Sequence, residues 1–203
     1  MTELKTILNK NSFVDELNSI LNNGGVIAFV TDTVWGIGCL PNNTKGVDRI
    51  YELKNRDTSK PLILMSNKIE NLTPYVKEIP TKAQELIKNY FPGALTLVLK
   101  KSEKTPDYIT SNKDTVGIRI PNNDFFKQLC SKIKGGVLAT TSANLSNQPS
   151  AKTYEEAKEF IGDFVDFVFE DYEQKCNGLE STVALIIDND IKILRQGSIN
   201  LNN

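Results

Sequence analysis

Val26-Ile27-Ala28-Phe29-Val30-Thr31-Asp32-Thr33-Val34-Trp35-Gly36-Ile37-Gly38 is the stretch of this chain that says most about its fold. Its first five residues are an unbroken apolar run after two glycines, which predicts a buried strand. The residues from Thr31 to Gly38 are rich in threonine, aspartate and glycine, which is typical of a loop. Because ligands bind where strands end in α/β sheets, Thr31 and Thr33 are candidate binding residues. Their hydroxyl groups could equally cap a following helix, so both interpretations stay open.

A second strand followed by a polar segment lies at Val137-Leu138-Ala139-Thr140-Thr141-Ser142-Ala143-Asn144-Leu145-Ser146. Residues 137–140 predict a strand, and the density of hydroxyl and amide groups behind it predicts a loop. Ser142 and Asn144 could bind the polar groups of a ligand. They could also cap a following helix, which the local chemistry favours slightly.

The remaining apolar residues follow helical or strand spacing. Residues three and four apart predict helices, and short apolar runs between turn residues predict strands. The predicted helices cover residues 13–21 (with Ser12 as N-cap), 45–53, 82–90, 124–133 and 154–161. The predicted strands cover residues 61–65, 95–99, 116–121 and 165–169, with a hairpin of 182–187 and 191–194 and a polar loop at 100–114. Several strands follow one another through short turns, which favours a mixed sheet with helices, an α/β fold that shades into α+β.

Three cations, Lys54, Arg56 and Lys60, lie between a predicted helix and a predicted strand. Such a cluster can converge on phosphate oxygens. Cations also suit the C-terminal end of a helix, and the spacing does not separate the two interpretations.

Arg119, Ser181 and Arg195 are candidates of a different kind, because each stands alone in the sequence. Arg119 lies inside a predicted strand, where its guanidinium must either leave the core or meet an anion. Arg195 follows the last predicted strand and could be a surface cation. Ser181 lies in a turn on the simplest interpretation.

The composition limits the chemistry that the chain can perform. The 203 residues include no histidine, so an imidazole base or metal ligand is excluded. A serine nucleophile would need a lysine or a carboxylate as its base. No glycine-rich phosphate-binding motif follows a strand, so a nucleotide would be held by side chains and irregular loops. The three widely spaced cysteines suit reduced thiols, and Cys39 is predicted to lie in the core.

Charge and hydropathy limit the location and the partners. The net charge of −1 argues against broad, non-specific binding to nucleic acid, although it leaves room for a local basic patch. No apolar run approaches the ~20 residues of a membrane helix, and residues 1–5 lack the apolar core of a signal peptide. We therefore expect a cytoplasmic protein with one domain over residues 1–203 and no contact with a membrane.

Seven segments in order resemble the threonylcarbamoyl-AMP synthase family, the YrdC-domain proteins. The resemblance covers roughly residues 13 to 199, and no single segment carries it. The segments are Thr31-Asp32-Thr33-Val34-Trp35-Gly36-Ile37-Gly38, Leu53-Lys54-Asn55-Arg56 with Lys60-Pro61-Leu62, Phe91-Pro92-Gly93-Ala94-Leu95-Thr96-Leu97-Val98-Leu99, Val116-Gly117-Ile118-Arg119-Ile120-Pro121, Thr140-Thr141-Ser142-Ala143-Asn144-Leu145-Ser146, Ser181-Thr182-Val183 and Leu194-Arg195-Gln196-Gly197.

The chain departs from the family pattern at five positions. The family usually has proline at Val30, tyrosine at Trp35, proline at Ala94 and glycine at Asn147, and a histidine is common at Asn122-Asn123. These departures bear on the fine geometry of substrate binding more than on the class of reaction. Because the resemblance ends near Ser198, we also expect the short form of the family, without the extra C-terminal domain of the longer members.

The resemblance implies a twisted mixed sheet of parallel and antiparallel strands, with flanking helices around a large, concave, positively charged cavity. It implies that L-threonine, bicarbonate (or carbon dioxide) and ATP react to L-threonylcarbamoyladenylate and pyrophosphate. Other proteins, tRNA-modifying transferases, then carry the threonylcarbamoyl group to adenosine 37 of tRNA.

The resemblance also implies roles for ten residues. Lys54 and Arg56 would act on the phosphates of ATP and on the carbamate as catalytic residues, with Lys60 in support. Ser142, Asn144 and Arg195 would complete the ATP site. The threonine site would consist of Thr31, Thr33, Arg119 and Ser181, with Arg119 as the partner of the carboxylate. Mg²⁺ is expected on the triphosphate, held mainly by phosphates and water, with no metal ligands from the protein.

Two other functions remain as alternatives to the synthase. Related domains have been linked to double-stranded RNA, so the chain could be an RNA- or tRNA-binding module without catalysis. The net charge and the lack of stacking aromatic residues in the basic segments weaken this alternative. Carbamoyl transfer to another acceptor would require the added domains of much longer chains.

Overall fold

A computed structural model describes residues 8–201, so residues 1–5, on which the expectation about a signal peptide depends, lie outside the described part. Nine strands in this part form one sheet in the order β7-β1-β2-β6-β3-β5-β4-β8-β9. In chain order the strands are β1 (Ile27–Phe29), β2 (Gly36–Cys39), β3 (Ile63–Ser66), β4 (Leu95–Lys100), β5 (Thr115–Arg119), β6 (Val137–Ser142), β7 (Phe167–Val168), β8 (Thr182–Ile187) and β9 (Asp190–Arg195).

The sheet is mixed. The pairs β1–β7, β3–β5 and β4–β8 are parallel, and the other five neighbouring pairs are antiparallel. The predicted mixed sheet with helices is therefore confirmed, and so is the hairpin, which consists of β8 and β9.

Seven α-helices accompany the sheet in the described part. They are α1 (Asn11–Asn22), α2 (Thr44–Lys54), α3 (Ile69–Leu72), α4 (Thr81–Tyr90), α5 (Asp107–Thr110), α6 (Asp124–Lys132) and α7 (Tyr154–Ile161), with short 3-10 turns at Thr73–Tyr75 and Gly162–Phe164. Three of the longer helices begin where a side chain accepts a hydrogen bond from the first turn: Asn43 for α2, Asn123 for α6 and Thr153 for α7. No described helix is long and apolar enough to cross a membrane.

Alternation along the strands separates a core face from an open face. In β4, Leu95, Leu97 and Leu99 are fully buried in the apolar core, while Thr96 and Val98 point to the other side. Each fully buried leucine contributes roughly 2 kcal/mol relative to an exposed one, so the core face fixes the register of this strand.

Several predicted boundaries were wrong. Ser12 does not cap the first helix, because α1 begins at Asn11 after Lys10. The polar loop predicted for residues 100–114 contains the short helix α5. The loop predicted after β1 contains a whole strand, β2, which pairs with β1 on one side and β6 on the other.

Two glycines explain why β2 was missed. Glycine weakens isolated strands, so Gly36 and Gly38 predict a loop. In the sheet they leave room for neighbouring side chains, because a Cβ on Gly36 would lie 3.1 Å from Phe29 Cε2 and one on Gly38 would lie 3.0 Å from Thr140 Cγ2. Tertiary packing therefore overrides the local preference.

The three cysteines are unpaired. Cys39 is fully buried in the apolar core, as predicted. Burial raises the pKa of its thiol to about 12, with a small opposing effect of Arg49. The thiol is therefore protonated at neutral pH and acts as an apolar side chain.

Candidate active site

The open face of the sheet carries a cavity of about 490 Å³. This volume lies within the usual range of small-molecule sites, roughly 300–1,000 Å³. Alternate residues of neighbouring strands line its floor: Ile63 and Met65 in β3, Thr96 and Val98 in β4, Thr115, Gly117 and Arg119 in β5, and Thr140 and Ser142 in β6. The cavity thus lies across strand faces as well as at the strand ends where sequence reasoning placed the site.

The cavity wall brings together eight of the ten residues assigned from the resemblance. They are Thr31, Thr33, Arg56, Lys60, Arg119, Ser142, Ser181 and Arg195. The side chains of Lys54 and Asn144 do not line the cavity, and they lie buried behind Ser142.

Arg119 occupies the end of β5 with only 2% of its surface exposed. Its Nε donates to the Gly93 carbonyl at 3.0 Å, its Nη1 to Thr33 Oγ1 at 2.9 Å, and its Nη2 to Asp32 Oδ1 at 2.5 Å. Burial lowers the pKa of the guanidinium and Asp32 opposes that effect, so the group stays charged. The prediction that Arg119 leaves the core or meets an anion is confirmed, since it meets Asp32.

The loop between β1 and β2 is organised by its own hydroxyl groups. Thr31 Oγ1 donates to the Val34 carbonyl at 2.6 Å and accepts the Thr33 amide at 3.1 Å. The Oγ1 atoms of Thr31 and Thr33 are 3.0 Å apart. These bonds present Thr33 to Arg119, and no helix follows, so the alternative that the two threonines cap a helix is wrong.

Lys54, the last residue of α2, is 1% exposed and ties two loops together. Its Nζ donates to the Ser142 carbonyl at 2.6 Å, to the Asn144 carbonyl and to Asn144 Oδ1 at 2.8 Å. The Lys54 carbonyl in turn accepts the Ser146 amide at 3.0 Å. Three oxygen acceptors match the three N–H bonds of an ammonium group. Burial, followed by Arg56, lowers the pKa of Lys54 to about 7, while Glu180 acts in the opposite direction.

The segment after β6 does not cap a helix. Ser142 is the last residue of β6, and the next α-helix begins at Tyr154 with Thr153 as its cap. Ser142 Oγ donates to Asn144 Oδ1 at 2.6 Å, and Asn144 Nδ2 donates to the Gln148 carbonyl at 2.7 Å. The amide therefore shapes this loop, and the capping interpretation of Ser142 and Asn144 is wrong.

Arg56 is held by the backbone of its own loop. The loop leaves α2 through Asn55, which adopts a left-handed conformation with φ of 45°. Arg56 Nε donates to the Lys60 carbonyl at 3.0 Å and Nη2 to the Pro61 carbonyl at 3.1 Å. Burial lowers the pKa of this guanidinium, which remains charged at neutral pH.

Arg195 lines the cavity beside Ser181. It forms an ion pair with Glu180 and donates from Nε and Nη2 to the Ser181 carbonyl at 3.1 and 2.9 Å. Ser181 Oγ is 2.8 Å from Thr96 Oγ1, and Glu180 Oε1 accepts from Ser150 Oγ at 2.9 Å. Glu180 thus joins three segments of the wall.

Sequence reasoning missed three charged residues of this region: Asp32, Glu180 and Lys113. Glu180 and Lys113 line the cavity, and Asp32 is the partner of the buried Arg119. Asp32 carried a usable signal, because it lies between the two candidate threonines. The lining contains five cations, Arg56, Lys60, Lys113, Arg119 and Arg195, against the single carboxylate of Glu180. The wall therefore favours an anionic ligand.

Of the five departures from the family pattern, only Trp35 lines the cavity. Its indole is 1% exposed and packs against the ring of Tyr154, with 6.1 Å between the centroids. Asn147 has φ of 66°, a conformation that glycine adopts freely and asparagine tolerates better than most residues. Asn122 accepts a hydrogen bond from Lys127 away from the cavity.

Comparison with known proteins agrees with this geometry. The Sua5_yciO_yrdC family model, described as telomere recombination, matches residues 19–197. A threonylcarbamoyl-AMP synthase of Pyrococcus abyssi is 36% identical over 182 residues, which are 89% of this chain and 53% of that protein. A threonylcarbamoyl-AMP synthase of Vibrio cholerae is 33% identical over 179 residues, 87% of this chain and 93% of that protein.

A solved structure shares the same fold. The crystal structure of P. abyssi Sua5 complexed with L-threonine superimposes with a TM-score of 0.84 at 33% identity, over 92% of this chain and 54% of that one. This chain thus spans about half of the Pyrococcus protein and nearly the full length of the Vibrio protein. The family model covers most of the chain and the fold superimposes on that of a family member, so the chain belongs to the Sua5/YciO/YrdC family.

Proposed function

We propose that this chain is a threonylcarbamoyl-AMP synthase, which forms L-threonylcarbamoyladenylate and pyrophosphate from L-threonine, bicarbonate or carbon dioxide, and ATP. The observation that carries the proposal is the single cavity that collects eight of the ten implied residues on a cationic, hydroxyl-rich wall. Relatives named for this activity match most of the chain.

Threonine fits the end of the cavity at Arg119. The guanidinium is held rigidly by the Gly93 carbonyl, Thr33 and Asp32, so it is oriented before a ligand arrives. A carboxylate would add a charge-assisted bond at this point. Thr31, Thr33 and Ser181 supply hydroxyl groups for the amino and hydroxyl groups of the substrate. The L-threonine complex of the Pyrococcus relative supports this choice of amino acid.

ATP fits the remaining wall, where Arg56, Lys60, Ser142 and Arg195 face the cavity. Lys54 and Asn144 act on ATP through the loop that they hold. For Lys54 to reach a phosphate directly, Nζ must exchange one of its three acceptors for a phosphate oxygen. Its lowered pKa makes this exchange sensitive to pH near neutrality.

The reaction needs charge neutralisation more than a protein nucleophile. The nitrogen of the threonine amine bonds to the carbon of carbon dioxide and releases a proton to water, which gives a carbamate, and a carbamate oxygen then attacks the α-phosphorus of ATP. The bond from that phosphorus to the bridging oxygen of the β-phosphate breaks, and pyrophosphate leaves with the electron pair. Fixed cations that face the developing charge accelerate such a displacement. A chain without histidine can therefore perform it.

Mg²⁺ would arrive bound to the phosphates of ATP and would neutralise part of their charge. The described residues include no group of three or more acidic, histidine or cysteine side chains suited to hold a metal ion. Glu180, the carboxylate of the cavity wall, is engaged by Arg195 and Ser150. This donor set fits an ion carried by the substrate, with ligands from phosphate and water.

The proposal extends to the partners and the location. The product is a labile mixed anhydride, and the acceptor that we propose for its threonylcarbamoyl group is a tRNA-modifying transferase. The cytoplasmic location stays a prediction. The alternative of an RNA-binding module without catalysis is less well supported, because the matching relatives carry the name of the synthase.

Pyrophosphate release tests the proposal. The purified chain is incubated with ATP, Mg²⁺ and bicarbonate, with and without L-threonine, and the adenylate is identified by mass spectrometry. We expect release that requires both threonine and bicarbonate. The variant Arg119→Gln should lose most of the threonine-dependent release. Pyrophosphate release that does not depend on threonine, or no pyrophosphate release from a folded chain, would refute the proposed function.

A further inference from the structure

Two lysines on the cavity wall, Lys60 and Lys113, form no direct ion pair among the described residues. Lys60 precedes β3 and Lys113 precedes β5, and both side chains are exposed and line the cavity. Within residues 8–201, neither ammonium group forms a hydrogen bond or an ion pair. The pKa of the fully exposed Asp57 is lowered mainly by hydrogen bonds from Ser59 and only to a small extent by Lys60.

The other three cations of the cavity wall already form ion pairs or hydrogen bonds within the chain. Arg119 forms an ion pair with Asp32, Arg195 forms one with Glu180, and Arg56 donates to two carbonyls. Lys60 and Lys113 are therefore the two cavity cations whose charged groups form neither a hydrogen bond nor an ion pair within residues 8–201, whereas Arg56 is hydrogen-bonded but has no counter-ion.

The fold places these two lysines at one edge of the sheet. Strands β3 and β5 are parallel neighbours with Ile63 opposite Gly117, so the segments that lead into them begin side by side. Tyr51 ties the two segments together, because its hydroxyl donates to the Lys60 carbonyl at 3.0 Å and lies 3.2 Å from Ser111 Oγ.

The turn before Lys113 is tightly shaped. Ser111 and Asn112 both adopt left-handed conformations, with φ of 54° and 60°, and the Lys113 amide donates to the Thr110 carbonyl at 3.1 Å. The chain therefore turns sharply after α5 and brings Lys113 to the cavity next to Thr115.

Because Lys60 and Lys113 lie on adjacent segments of the cavity wall, a ligand with several linked negative charges can contact both ammonium groups. Lysine binds phosphate as a flexible point charge and needs no fixed geometry. We propose that Lys113, together with Lys60, binds the terminal phosphates of a nucleoside triphosphate and holds the pyrophosphate formed from it. This inference rests on the proposed function for its choice of nucleotide, but polyphosphate binding can be tested without turnover.

Binding measurements with three ligands test the inference. Trp35 is the single tryptophan of the chain and lines the cavity, so its fluorescence reports occupancy. The probes are Mg²⁺-ATP, Mg²⁺-pyrophosphate and AMP, applied to the full chain and to Lys113→Ala, Lys60→Ala and the double variant. Lys104→Ala is the matched control, since Lys104 is an exposed lysine outside the cavity. Circular dichroism verifies that each variant is folded.

We expect each single variant to bind ATP and pyrophosphate about fivefold more weakly, as for a partly screened charge pair, and the double variant more than tenfold. AMP should bind within about twofold of the parent, because it lacks the terminal phosphates. Lys113→Arg should retain ATP and pyrophosphate affinity, since it keeps the charge.

Unchanged pyrophosphate affinity in Lys113→Ala would overturn the inference, as would an equal loss for AMP and ATP or a loss in Lys104→Ala. A parent chain that binds neither ATP nor pyrophosphate would also overturn it. A parent that binds pyrophosphate through Lys113 but shows no threonine-dependent turnover would refute the proposed function and leave this inference standing.

Discussion

The buried ion pair between Asp32 and Arg119 allows a quantitative test of how the cavity wall around Arg119 is held in place. Asp32→Asn keeps the size of the side chain and removes its charge, which leaves a guanidinium that is 2% exposed without a counter-ion. Breaking a fully buried pair costs about 3–5 kcal/mol. The Asp32 side chain is 15% exposed, so water reaches part of the site, and we expect about 3 kcal/mol of lost unfolding free energy.

A matched pair in the same cavity serves as the control. Arg195 and Glu180 form the same kind of ion pair, but their side chains are 44% and 38% exposed. Glu180→Gln should therefore cost less than about 1 kcal/mol. The contrast isolates the effect of burial, because both variants replace a carboxylate by the corresponding amide.

The assay is urea unfolding, followed by Trp35 fluorescence and by circular dichroism. Asp32→Asn should also lower the melting temperature by roughly 6–12 °C, from about 2–4 °C per kcal/mol in a chain of this size. The double variant Asp32→Asn with Arg119→Met should recover part of the loss, since both charges are gone. A cost below about 0.5 kcal/mol for Asp32→Asn, or strictly additive effects in the double variant, would refute the view that this pair is energetically coupled.

Three further predictions follow from single contacts. The folded-state pKa of Lys54, about 7, lies below its ordinary value of 10.5, so between about pH 7 and 10 the folded chain binds fewer protons than the unfolded chain and its stability should rise with pH. Lys54→Met should lose this increase in urea unfolding at several pH values, and an unchanged increase would contradict the assignment to Lys54. Asn147→Gly should stabilise the chain by about 0.5–1 kcal/mol because φ is 66°, whereas Asn147→Ala should destabilise it, and calorimetry that gives the opposite order would argue against strain at this turn. Gly38→Ala should cost about 1–3 kcal/mol in thermal unfolding, because the added Cβ would lie 3.0 Å from Thr140 Cγ2, and a neutral result would mean that β2 and β6 separate easily.

The sequence predicted the fold well where local and tertiary preferences agree. The strand in Leu95-Thr96-Leu97-Val98-Leu99 and the helix over residues 154–161 were found because apolar spacing there matches burial. The strand Gly36–Cys39 was missed because its two glycines act through packing with Phe29 and Thr140, which no local pattern contains.

The residues of the candidate site also fall into those that the sequence identified and those that it did not. Motif resemblance identified eight residues that the fold brings to one cavity, since those residues lie in contiguous segments. It did not identify the partners Asp32 and Glu180, because pairing depends on segments far apart in the chain, and it did not identify Lys113, because this residue lies outside the matching segments. The ion pairs of Arg119 and Arg195 span 87 and 15 residues respectively. The pairing itself becomes visible only when the sheet order is known, although Asp32 is noticeable in the sequence as a carboxylate between the two candidate threonines.

The partners that the cavity cations have within the chain affect both the strength and the selectivity of anion binding. An isolated arginine would gain the full attraction of an incoming anion, but it would first lose the freedom of its side chain. Arg119 has already lost that freedom on folding, since three bonds to Gly93, Thr33 and Asp32 fix its position. Under the proposed function, a threonine carboxylate would therefore meet an oriented donor whose charge is partly neutralised. Binding at this end should consequently be more selective for geometry than strong, whereas the unpaired Lys60 and Lys113 at the other end should contribute strength with little selectivity.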